Sequence, residues 1–419
     1  MDLSKKIFIY IIFIFSIFLG YFLNENSSGG AKIDHDYFKP FINYFYVDFN
    51  FGLKKFLENP ATIIQLPVFY IIIGSLLKLF NSLVFIKVVY IIISCFLPFL
   101  FYLILKNKFK VNKQYIFLIC FLIFLSPYFR SSAIWLLGDN LSLVFFSLSV
   151  LFFLKSHNKK KIEYLYISIF FLILCSYIRH YYSFFILYYL FYTFKNFKTK
   201  YFLYILIGSF IFSLPALFYL NYIILNYNFI ETISAFGNIN YLNSSLIILT
   251  ILLFYTIPFI LDKKFSIIMY YKKNYKIFSF IVFLFLLLIL IDTFFFENLI
   301  TFPRKGGGVF IKLIIALPID LKEILLVFTG CISFLLIDFL FKDDRTLNYL
   351  LLVLLIISLP FLVIYQKYLD PLFYIFFFGL INSNYIKKII EEKILNLYFV
   401  FVYFTGFYIF SFFYYLKIS

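Results

Sequence analysis

Histidine, cysteine and acidic side chains are all scarce in this chain, and each scarcity closes off a class of chemistry. The three histidines are scattered, so they form no metal-binding cluster. The four cysteines, Cys95, Cys120, Cys175 and Cys331, stand singly in apolar runs without metal-ligand spacing and read as small buried hydrophobes. A phosphate-cradling glycine loop is missing as well. Gly306-Gly307-Gly308 has neither the spacing nor the downstream Lys-Ser/Thr of such a loop, which argues against an ATP-driven pump. No soluble domain of useful size and no convincing internal repeat are present, so a nucleotide-sugar enzyme with a soluble catalytic domain is also disfavoured.

What is there is apolar. Hydrophobic residues make up 64% of the 419 positions, aromatics 25%, and the mean hydropathy is +0.98. A water-soluble domain has no means of burying that much apolar surface. The expectation is an all-α, polytopic integral membrane protein with one transmembrane domain over 1–419. Lys+Arg outnumber Asp+Glu by 37 to 20, but the lysines sit in short gaps between apolar runs. That is the positive-inside pattern, so the charge sets topology and does not point to nucleic acid.

Lys5 and Lys6 precede an uncharged run from Ile7 to Asn24 with no small-residue cleavage pattern, which reads as a retained first span with a cytoplasmic N-terminus. Residues 25–61 form the first external segment, with a composition suited to one or two short interfacial helices interrupted at Pro40, Asn50 and Gly52. Further candidate spans are 62–80, 84–104, 114–129, 132–154, 162–179, 181–194, 202–226, 243–261, 277–296, 311–337, 346–365, 370–386 and 393–417. Several are short, so the total is about eleven to fourteen transmembrane or re-entrant helices. The basic gaps 106–113, 155–161, 195–200, 263–276 and the Lys387-Lys388 turn read as cytoplasmic. One conflict follows: two full crossings over 62–104 would put the 106–113 lysines on the external side, so one of the two pieces fails to cross or the loop breaks the rule.

Carboxylates are costly inside a bilayer, so Lys32-Ile33-Asp34-His35-Asp36-Tyr37, just outside it, is the best place for chemistry. Asp36 or Asp34 is suited to accept a proton from an acceptor hydroxyl. Like-charge repulsion between them, or a shared divalent cation with His35, are the further options beside an ordinary solvated loop. Asp139 opens a span after Trp135, either as a helix-start carboxylate or as a cavity acid. Arg179 and His180 fall in the middle of an apolar stretch, 162–194, and mark a boundary between two short helices. Arg179 is then either a snorkelling cation or a phosphate contact. Arg304 and Lys305, before the three glycines, and Lys367 with Tyr368 are further candidates for holding phosphate.

Together these elements resemble the GT-C superfamily of integral-membrane glycosyltransferases, which use polyprenyl-phosphate sugars. The external acids of that family are matched by Asp34 and Asp36, with Asp36 favoured. Its His-Pro-Pro-Leu-like entry to the second span is matched by Gln65-Leu66-Pro67-Val68-Phe69-Tyr70, with Gln65 for histidine and Leu66 for the first proline. Arg130-Ser131-Ser132 through Asp139-Asn140 is similar to its arginine- or serine-rich turn before an acid-opened span. Lys367-Tyr368-Leu369-Asp370-Pro371 is similar to its late Arg-Tyr-x-x-Pro element, with lysine for arginine.

The resemblance implies a GT-C-like fold and inverting transfer of a hexose from a polyprenyl-phosphate donor, without a covalent sugar–enzyme intermediate. The acceptor would be a lipid-linked or cell-envelope glycan on the external face of a bacterial inner membrane. Catalysis would fall to Asp36 and Asp34. Substrate binding would fall to His35, Gln65, Tyr70, Arg130, Asp139, Arg179, His180, Arg304, Lys305, Lys367 and Tyr368. Partners would be membrane lipids and the lipid-linked sugar. The rival readings are a transporter or flippase, which favours mid-bilayer polar residues and paired halves, and an O-antigen polymerase or ligase, which favours a large late external loop.

Overall fold

The computed structural model describes residues 3–58, 65–110, 113–227, 239–260, 264–294, 300–303, 306–318, 321–361, 363–392 and 395–416. Among them the only β feature is one isolated bridge, Ile239 with Phe361; the rest is helix and turn. Among the described residues, seven helices are long and apolar enough to cross a membrane, or eight if one bent pair is a single span. The chain is therefore a polytopic helical membrane protein. Four shorter apolar helices accompany these, so the expected range of helices is reached only when they are included. The chain divides into two compact units. One comprises Met1–Thr232, Phe378–Leu380 and Phe401–Ser419; the other comprises Ile233–Phe377 and Ile381–Val400.

In the first unit, helix α1 (Leu3–Phe22) is followed by α2 (Ala31–Val47) and α3 (Phe49–Leu57). The interruptions expected at Pro40, Asn50 and Gly52 do not occur, since α2 runs through Pro40 and α3 contains the other two. The break falls at Asp48. Its carboxylate accepts from the backbone N–H groups of Asn50 and Phe51, at 2.9 and 3.0 Å, which satisfies the open start of α3.

Helix α4 (Val68–Phe80) has 13 residues. That is about 20 Å of helix against a hydrocarbon core of about 30 Å. It packs against α2. Helix α5 (Leu83–Lys108), capped by Ser82, has 26 residues and is long enough to cross. Of the two pieces in the sidedness conflict, α5 has the length and apolarity to cross, while α4 is one of the shorter apolar helices.

The expected span at 114–129 is bent. Helix α6 (Lys113–Cys120) passes into a 3-10 turn (Phe121–Leu125), and α7 (Pro127–Ile134) leaves at 66°. Ser126 caps α7, and Pro127 fits its first position because no N–H is needed there. Leu136 then adopts a left-handed backbone, φ 56°, and turns the chain into α8 (Gly138–Lys159). Helix α8 packs against α5 and against α9 (Ile162–Ile178). At Arg179 the backbone is extended, followed by a 3-10 turn (His180–Phe184) and α10 (Phe185–Asn196). The boundary expected at Arg179-His180 is present. Helix α11 (Thr199–Asn226) follows.

The second unit contains α12 (Tyr241–Ile260), α13 (Lys264–Lys273), α14 (Tyr275–Phe294), α15 (Gly308–Ala316), α16 (Lys322–Phe341), α17 (Arg345–Ser358) and α18 (Asn384–Glu391). The run expected as one span at 311–337 is two helices, because α15 ends before Leu317. Lys387 and Lys388 lie within α18, not in a turn. Asp338 anchors one end of the unit: its buried carboxylate accepts from the hydroxyls of Tyr349 and Tyr271, at 2.7 and 3.1 Å, and meets Arg345 at 3.3 Å. The last helix, α19 (Leu397–Leu416), contributes residues to both units.

Candidate functional site

Four predicted site residues meet in a cleft of the first unit. Arg179 Nε lies 2.8 Å from Asp139 Oδ1, and an Arg179 terminal nitrogen donates to Asp139 Oδ2 at 2.9 Å. The other terminal nitrogen donates to Gln65 Oε1 at 3.2 Å, and Gln65 Nε2 donates to the Tyr70 hydroxyl at 3.0 Å. Local folding explains the convergence. The left-handed turn at Leu136 starts α8 just before Asp139, while the end of α9 frees Arg179 from helical geometry. Tyr90 of α5 pins the turn by donating to the Leu137 carbonyl and accepting from Leu141 N–H.

The cleft beside these residues is tight, with a cavity volume of about 10 Å³, and is walled by Phe38, Phe69, Leu137, Gly138 and Ile178 among others. A guanidinium carries five N–H donors. Asp139 and Gln65 take only part of that set, so each terminal nitrogen of Arg179 retains a donor for a ligand in the cleft it lines.

Asp34 and Asp36 lie on one continuous helix, where two positions apart means roughly 200° of rotation. Asp34 is within electrostatic reach of the Tyr70 hydroxyl, as are Arg179 and Asp139. Asp36 instead acts on His35 and Lys87. His35, on the buried side of α2, stands 6.0 Å from the Trp135 ring. Burial, and next the charge of Lys87, pull its pKa from 6.5 down to about 4. Asp139 is held by Arg179. Among the described residues no group of three or more His, Cys, Asp or Glu converges. No step below is routed through a divalent cation.

The remaining predicted residues lie elsewhere. Arg130 is not in the cleft: it is ion-paired with Glu25 at 2.7 Å. His180 begins the 3-10 turn after Arg179, half-buried. Lys367 and Tyr368 lie in the second unit on a short 3-10 turn, Gln366–Tyr368. The described glycines beside Arg304 and Lys305 pack on that same segment, with Gly307 N–H donating to the Ile364 carbonyl at 2.7 Å. Gly306, Gly307 and Gly308 all have φ between 75° and 80°, a conformation that side-chain-bearing residues avoid. Arg304 and Lys305 themselves lie outside the described residues.

Sequence reasoning missed Glu25 and Lys87. Glu25 is the first acid after the first apolar run, and Lys87 is the one charge early in an apolar run; both were visible as exceptions. No family model, curated protein or solved structure matches the chain.

Proposed function

We propose that the protein transfers a hexose from a polyprenyl-phosphate donor to a hydroxyl of a lipid-linked or cell-envelope glycan, with inversion. One arrangement carries the reading: Arg179, held by Asp139 and Gln65 with donors to spare, lines an apolar-walled cleft together with Tyr70, and Asp34 is within electrostatic reach of the Tyr70 hydroxyl. In this reading Asp34, not Asp36, takes the proton of the acceptor hydroxyl. The acceptor oxygen bonds to the anomeric carbon as that carbon's bond to the phosphate oxygen breaks. The electron pair leaves with the polyprenyl phosphate, whose charge meets Arg179. Asp139 and Gln65 hold the guanidinium plane in place.

A second reading, a transporter, draws on the helix breaks at Ser126 and Arg179, since interrupted helices line substrate paths in many carriers. The two separate in one assay. Purified protein in detergent is given labelled undecaprenyl- or dolichyl-phosphate hexoses with membrane-extract lipids, and transfer is measured. The enzyme reading expects transfer that falls at least a hundredfold in Asp34→Asn and Arg179→Gln but persists in Asp36→Asn. Full activity in Asp34→Asn removes the base. No transfer with any donor, alongside uptake in proteoliposomes, favours the carrier.

A further inference from the structure

We propose that Lys32, Lys39 and Lys87, gathered beside the indole of Trp135, form a binding site for a phosphate group. Lys32, Asp36 and Lys39 occupy positions i, i+4 and i+7 of α2 and so share one stripe of that helix. Lys87 comes from the start of α5. Its ammonium stands 5.0 Å from the centre of the Trp135 ring, and that of Lys32 stands 6.0 Å from it. Lys39 and Asp36 act electrostatically on both Lys87 and His35, which places the whole group within one small volume. Trp135 is 7% exposed, so its ring forms a floor and not a flap. Its position is fixed from behind by a 2.8 Å hydrogen bond from Nε1 to the Glu25 carbonyl.

The charges do not balance. Beside the three ammonium groups, Asp36 is the carboxylate that acts on Lys87 and His35. Among the described residues none of the three lysines is within 4.0 Å of a carboxylate oxygen, although Lys87 is half-buried. Cation–π contact with Trp135 offsets part of the cost of holding Lys32 and Lys87 together, but it adds no negative charge. His35 is neutral near pH 7 and contributes none either. An anion of one to two charges with several acceptor oxygens completes the group, and a phosphate monoester or diester has that charge and geometry. The site shares only its neighbourhood with the Arg179 cleft, so it stands whether or not sugar transfer does. The phosphate belongs either to a lipid headgroup or to a soluble phosphate compound.

Trp135 is the sole tryptophan in the chain, so its fluorescence reports on this floor directly. Full-length protein in a neutral maltoside detergent is titrated with inorganic phosphate and, separately, with short-chain phosphatidic acid, at constant ionic strength. A saturable change in emission is expected, with the apparent Kd raised at least tenfold in the Lys32→Gln/Lys39→Gln variant. Those two side chains are exposed, so that variant folds even if Lys87→Gln does not. Saturation with both ligands assigns the site to phosphate in general; saturation with phosphatidic acid alone assigns it to a lipid headgroup. No saturable change with either ligand, or identical curves in wild type and the double variant, overturns the proposal.

Discussion

Arg130 and Glu25 form an ion pair of 2.7 Å whose side chains are only 7% and 3% exposed. Around it Arg130 also donates to the Ser16 hydroxyl and carbonyl, both at 2.9 Å, and stacks 4.9 Å from the Tyr408 ring. Ser27 donates to Glu25 at 2.8 Å. The pair thus joins the end of α1, the bent α7 and the last helix within one unit. Every strong polar group in it has a protein partner, which makes it a clamp and leaves little for a ligand.

Breaking the clamp from one side should be costly. Arg130→Met leaves Glu25 buried without its cation, and removal of one member of a buried pair costs about 3–5 kcal/mol. The apparent melting temperature in detergent should fall sharply in Arg130→Met and in Glu25→Gln. The double variant should recover part of the loss, since no orphan charge remains. Equal melting temperatures for wild type and both single variants would show that the pair is solvated and not a clamp.

Gly20 should be intolerant of a methyl group for the same reason. A Cβ there would overlap Glu25 Oε2 and come within 3.2 Å of an Arg130 terminal nitrogen. Helix propensity alone favours Gly20→Ala by about 1 kcal/mol. The expected outcome is the opposite, a loss of about 1–3 kcal/mol from overpacking. In a Glu25→Ala background the closest overlap is gone and only Ile134 Cδ1 at 3.0 Å and Arg130 at 3.2 Å must give way, so the loss on Gly20→Ala should shrink in the same melting assay.

Why some of this was legible in the sequence follows from what a residue needs in order to be noticed. Arg179 stands in the middle of an apolar run, where a charge forces a helix break, and the break is there. Long uncharged runs such as 202–226 need no partner to be read as helices, and α11 covers it. The direction of Asp34 was not legible, because it depends on α2 continuing through Pro40, which local propensity opposes. Glu25 escaped because its partner, Arg130, is 105 residues away and no local pattern signals the pair. Nothing local to Lys87 signals Trp135, whose ring its ammonium meets only in the fold.

If α5 crosses and the shorter α4 does not, the two flanks of α5 are exposed on opposite faces. Asn50 on α3 and Lys110 after α5 are both exposed. In a background cleared of the four native cysteines, Asn50→Cys should react with a membrane-impermeant maleimide added outside intact cells. Lys110→Cys should react only after permeabilisation. Labelling of both from the same side would mean that the chain from α4 to α5 crosses an even number of times, against the shortness of α4.

His35 makes stability depend on acidity in a definite direction. Its pKa is drawn from 6.5 to about 4 in the fold by burial and by Lys87, with Lys39 adding and Asp36 and the Trp135 backbone opposing. The unfolded chain therefore binds a proton that the folded chain refuses between those two values. The stability tied to neutral His35 is full above pH 6.5, declines as the pH falls, and is lost by about pH 4. A shift of this size corresponds to up to ~3 kcal/mol. The melting temperature should therefore drop on going from pH 7 to pH 5, and the drop should be smaller in His35→Gln, which keeps a hydrogen-bond donor but does not titrate. Every other titratable group is common to the two proteins, so the difference between the two pH profiles isolates His35. Parallel profiles would mean that water reaches the imidazole and that the indole floor beside it is open.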